Sequence, residues 1–98
     1  MTIDSIKDQL KTANHPIAKS FHIGDHFKVL VFGFNKGMKL EDHKAHHPTK
    51  LLVLEGEVMY HQGKKDTRLK QFDEIEIPAE VSHSVAALND ALVLLTQG

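Results

Sequence analysis

An all-β jelly-roll barrel with one short N-terminal helix is the fold this sequence predicts, and three observations carry it. From Ile17 onward, apolar and polar residues alternate with a period of two, as they do along half-buried strands. Turn residues break that alternation at short intervals, at Gly24-Asp25, Asn35-Lys36-Gly37, Gly63-Lys64-Lys65-Asp66, Pro78-Ala79-Glu80 and Asn89-Asp90. Helical spacing occurs only at the N-terminus. Many short strands with no repeat and no linker describe a jelly roll.

The chain has 98 residues, enough for one domain that buries about two-thirds of its unfolded surface. Residues 1–13 are assigned to the helix and residues 26–97 to the core of a single domain. Twelve basic and thirteen acidic side chains, spread without long runs, leave no electrostatic footprint for nucleic acid or an anionic membrane. The absence of cysteine excludes disulfides, thiolate metal sites and cysteine nucleophiles. The segment MTIDSIKDQLK lacks the apolar core of a signal peptide, and no stretch approaches membrane-spanning length. The expected location is the cytoplasm.

Ile3, Ile6 and Leu10 recur at helical spacing, so Thr2 to Thr12 is expected to be a helix with Thr2 as its cap and Asp4 in its first turn. Pro16 bars its continuation. Its apolar stripe should pack on the outside of the barrel or on a neighbouring subunit. Ile17 to Ile23 and His26 to Phe34 form a hairpin around Gly24-Asp25. The second strand is apolar on both faces, with Phe27, Val29, Val31 and Gly33 on one and Leu30, Phe32 and Phe34 on the other, so it should be covered on both. Together with the helix stripe, that predicts a homodimer. His15, His22 and His26 have no ligand-spaced neighbour and belong to the surface.

Next comes GMKLEDHKAHHPTKLLVLEG, Gly37 to Gly56, with His43, His46 and His47 ahead of the buried run Leu51 to Leu54. Imidazole is the commonest protein ligand for a transition metal. Strand alternation puts His43, Ala45 and His47 on one face and Lys44 and His46 on the other, unless a bulge intervenes. Beyond Gly56, Val58 and Tyr60 share a face and His61 takes the opposite one. Thr67 to Gln71 and Phe72 to Ile77 follow, with Ile75 and Ile77 buried and Glu74 and Glu76 solvated. Val81 to Leu88 sets His83 beside Val81 and Val85, and Ala91 to Leu95 reads as a buried central strand.

Gly37, His43 and Gly56 match the spacing of the first motif of the cupins, G-x5-H-x-H-x3/4-E-x6-G. Pro78 and His83 match that of the second, G-x5-P-x-G-x2-H-x3-N. The chain therefore resembles a small cupin over residues 26 to 97. The resemblance implies a double-stranded β-helix of the RmlC-like kind, with Thr49, Leu51 and Val53 facing inward. It also implies a metal held by three histidines and a glutamate, but here Ala45 and Thr49 stand at two of those four positions. Phe72 and Glu80 stand where the second motif has glycine, and Ala87 where it has asparagine.

Two readings of the site follow. A catalytic metal wants about three protein ligands and an open position, and His43, His47 and His83 are the candidate set, for iron, nickel, zinc or manganese. Alternatively, His43 and His83 form a metal-free, hydrogen-bonded pair in an apolar cavity. In either case the expected ligand pocket is His43, His83, Tyr60, Thr49 and Val53. The function is then a module binding a small organic ligand, a metal-dependent dioxygenase or isomerase, or a structural dimer with a vestigial cavity. Ser82 adjoins His83 only in sequence, and their side chains point to opposite faces, so they make no nucleophile pair.

Overall fold

A computed structural model describes residues 1–98. It contains a helix, α1 (Thr2–Leu10), and nine strands: β1 (Ile17–Ile23), β2 (Lys28–Phe34), β3 (Lys39–His43), β4 (Thr49–Glu55), β5 (Glu57–Gln62), β6 (Lys65–Lys70), β7 (Glu74–Ile77), β8 (His83–Ala87) and β9 (Ala91–Gln97). All the strand pairs are antiparallel. They form a five-stranded sheet, β1-β2-β9-β4-β7, and a four-stranded sheet, β3-β8-β5-β6. The expected jelly roll is present, as two facing sheets and not one continuous ladder.

The inner faces enclose Phe34, Leu51, Val53, Val58, Tyr60, Leu69, Ile77, Val85 and Val93, all 4% exposed or less. This packing fills the interior. Behind the larger sheet, a second cluster joins Ile6 and Leu10 of α1 to Ile17, Val31 and Leu92. Both faces of β2 are thus covered, as its sequence demands, and the helix of the same chain supplies the outer cover. Gly33 makes the close approach feasible, because a Cβ there would lie 2.3 Å from Ile6 Cγ2. Met1 is the N-cap residue and makes no side-chain cap bond, and Thr2 is the first helical residue and not the cap.

Other local differences from the sequence reading lie at strand ends and turns. The β5–β6 turn is the two residues Gly63-Lys64, so Lys65 and Asp66 belong to a strand. Phe72 lies in the β6–β7 turn with φ 72°, and Glu80 in the β7–β8 turn with φ 64°. Gly37 and Gly56 have φ 89° and 78°. All four glycine positions of the two motifs therefore take the left-handed conformation, two of them without glycine. Backbone bonds hold both turns in place: Phe72 N–H donates to Val53 O at 2.7 Å and Glu80 N–H to Ala45 O at 2.8 Å. No helix is long and apolar enough to cross a membrane.

Candidate functional site

β8 leaves the Pro78-containing turn with His83, Val85 and Ala87 facing inward, all buried. β3 pairs with it through Leu40 and Val85, then passes through an irregularity, so that His43 and not Asp42 lies opposite His83. This bulge inserts one residue and resets which side chain faces the neighbouring histidine. The two rings meet with centroids 4.2 Å apart, tilted by 56°. On the other side of β8, Tyr60 stacks on His83 with centroids at 5.7 Å and an interplanar angle of 30°.

Both imidazoles are oriented by a backbone carbonyl two residues earlier. His43 Nδ1 lies 3.0 Å from Glu41 O and His83 Nδ1 lies 3.2 Å from Val81 O. A carbonyl only accepts, so each Nδ1 carries the proton, and in the neutral ring each Nε2 keeps its lone pair. Burial lowers the pKa of His83 from its ordinary 6.5; the Val81 carbonyl opposes that shift, His43 adds to it, and Asp42 opposes it. Burial raises the pKa of Tyr60. At neutral pH the end of the sandwich therefore offers an uncharged His83 beside an un-ionised Tyr60.

Tyr60 Oη donates to Gln62 Oε1 at 2.7 Å, and Gln62 sits directly across from His83 in the β5–β8 register. Sequence reasoning passed over Gln62, although it lies two positions beyond Tyr60 on the same face of the strand. A depression of about 210 Å³ opens beside these residues, lined by Tyr60, Gln62, Lys65, Thr67, Ile75, Glu76 and Pro78.

The other expected site residues lie elsewhere. Val53 is sealed in the core, and Thr49, 3% exposed, donates its hydroxyl to His47 O at 3.0 Å. Neither lines an open cavity, so the deep interior pocket expected from the sequence is replaced by packed side chains. His47 lines a different depression, with Ile23, Phe27 and Gln97 around the β1–β2 hairpin. Alternation fails there because β3 ends at His43, leaving His47 in a loop. His46 points out and pairs with Glu80 Oε1 at 3.0 Å. His61 also faces outward, paired with Asp66.

No group of three histidine, aspartate or glutamate side chains comes together to hold a metal. The expected three-histidine centre of His43, His47 and His83 is therefore not assembled. Ala45 offers no donor, and the Thr49 hydroxyl is spent on a carbonyl. The residues present do not fit a mononuclear centre with three protein ligands.

No protein-family profile and no curated protein sequence matches the chain. Solved structures do. A cupin superfamily protein from Desulfitobacterium hafniense superposes with TM-score 0.81 at 20% identity, over 86% of this chain and 77% of that one. An RmlC-like cupin from Desulfovibrio desulfuricans gives TM-score 0.78 at 26% identity, over 93% and 84%. Salicylate 1,2-dioxygenase from Pseudoaminobacter salicylatoxidans gives 0.89 at 15% identity, over 98% of this chain but 31% of that enzyme. The chain has the cupin fold. Its jelly roll is of the small, RmlC-like kind, and both cupin motifs are incomplete in its sequence.

Proposed function

We propose that this protein binds a small organic ligand at the end of the sandwich marked by His43, His83 and Tyr60, without a three-ligand catalytic metal. One observation carries this reading: two imidazoles are in contact, each with Nδ1 engaged by a carbonyl, so that each ring in its neutral form keeps Nε2 as an acceptor. Such a pair suits a ligand bearing hydroxyl or amino hydrogens. Gln62 and the neighbouring depression extend the contact surface. A divalent ion held by these two side chains alone would have fewer protein ligands than a catalytic site uses, so its binding would be weak. The dioxygenase or isomerase alternative rests on donors that this geometry does not bring together.

The test is a small-molecule screen read by histidine side-chain NMR. Binders should shift the His43 and His83 ring signals in the native chain and lose affinity in His43→Ala. A screen in which no binder perturbs either ring would overturn the reading.

The expected homodimer has lost its first motive, since α1 covers the outer face of β2. We propose that the chain dimerises through the exposed Phe21, Ile23 and Phe27 on β1 and its hairpin, which are 58%, 63% and 47% exposed. A sedimentation profile that stays monomeric at high micromolar concentration would contradict this.

A further inference from the structure

The most voluminous depression, about 470 Å³, lies away from the histidine pair, where the end of α1 meets the β2–β3 and β8–β9 turns. That volume is of the size that small-molecule sites occupy. Its floor is apolar where Leu10, Ala91 and Leu92 reach the surface, at 8%, 4% and 3% exposure, above the fully buried Phe34. Its walls carry opposite charges on opposite elements. Lys7 of α1 and Lys11 at its C-cap, four residues apart, lie on the same side, and Lys11 Nζ is also 3.5 Å from the exposed Asp8 Oδ1. Glu55, the last residue of β4, and Asp90, in the turn before β9, face them.

These walls are fixed and still have bonding capacity. Asn35 Nδ2 donates to Leu10 O at 2.7 Å, which ties the helix end to the sheet. Asp90 Oδ1 accepts the Lys36 N–H at 2.8 Å, so its other oxygen is unspoken for. Lys7 Nζ reaches Glu55 Oε1 at 3.0 Å, using one of three ammonium hydrogens and one of two carboxylate oxygens. Half-exposed ion pairs of this kind contribute little to stability, so replacing one by a ligand's charge costs little.

We infer that this cleft binds a small zwitterion carrying an apolar side chain, the chemistry of a free hydrophobic amino acid. The ligand carboxylate meets Lys7 and Lys11, its ammonium meets Glu55 and the free oxygen of Asp90, and its side chain covers the apolar floor. A ligand with only one of its two charges leaves one wall unmatched. The site is independent of the histidine pair.

The experiment is an amide NMR titration of the full chain with L-leucine, N-acetyl-L-leucine and L-leucinamide. L-leucine should saturably shift the amides of Leu10, Lys11, Asn35 and Asp90 to Leu92. Each one-charge analogue should bind about fivefold more weakly, as loss of one exposed ion pair implies. Lys11→Ala, a change on the exposed helix surface, should weaken leucine by a similar factor while leaving the rest of the spectrum in place. Equal binding of all three compounds, shifts confined to the histidine end, or no shift at 20-fold molar excess and beyond (to about 20 mM, the regime of weak ligands) would each overturn the inference.

Discussion

The turns and the rim of this molecule meet the same two motifs in opposite ways. At the turns, four motif positions adopt left-handed backbone whether glycine occupies them, as at Gly37 and Gly56, or not, as at Phe72 and Glu80. At the rim, four side-chain donors are implied, and two replacements, Ala45 and Thr49, leave only the pair His43 and His83 in contact. Backbone geometry is imposed collectively by the ladders on either side, so a misfit residue is tolerated at a cost of about 1–2 kcal/mol. Coordination depends on each donor separately. Substitution at the turns therefore strains the fold, whereas each replaced donor at the rim removes one side-chain ligand outright.

The sharpest way to break that contrast is Gly56→Ala. Its φ is 78° and an added Cβ would lie 2.1 Å from Asp90 O, so strain and a clash with backbone combine. We expect a loss of about 2–4 kcal/mol in denaturant unfolding. Gly37→Ala has φ 89° but nothing within 4 Å of the added Cβ, so only strain remains, about 1 kcal/mol. Equal effects at the two sites would show that conformation alone governs these turns.

Phe72→Gly and Glu80→Gly should move the other way, each stabilising by about 1 kcal/mol, or roughly 4–8 °C in Tm for a domain of this size. The Phe72 change should give more benefit, since its side chain is 71% exposed, whereas Glu80 also holds His46 at 3.0 Å. Destabilisation by both would mean that the left-handed turns are not strained.

At the rim, the lowered pKa of His83 fixes a sign. Between that lowered value and 6.5, the unfolded chain binds more protons than the folded one, so stability is full above 6.5 and falls as the pH drops through this window. His83→Gln should flatten that part of the stability profile. A profile that stays steep would assign the effect to other groups. The smallest effect belongs to His43→Ala. His43 is exposed, and unfolding should change by no more than about 0.5 kcal/mol while ligand binding is lost.

Much of the fold was legible because period-two alternation and turn residues report directly on strands. Val58 and Tyr60 inward, His61 outward, and Glu74 and Glu76 solvated all follow from alternation and are found so. The meeting of His43 with His83 was legible from motif spacing. The position of His47 was not, because alternation holds only inside a strand and β3 ends at His43. The filled interior was not either: whether facing side chains leave a void depends on their combined volume in three dimensions, which no local pattern encodes. Likewise, the cover on β2 depended on where α1 docks, and the stripe of Ile6 and Leu10 fitted a partner chain as well as its own sheet.

The central claim, a paired-imidazole site with no third protein ligand, is tested most directly by the metal content of untagged protein followed by calorimetric titration with zinc. The account predicts no stoichiometric metal after purification and zinc binding weaker than about 1 μM. One tightly held ion per chain, lost equally in His43→Ala, His47→Ala and His83→Ala, would contradict it.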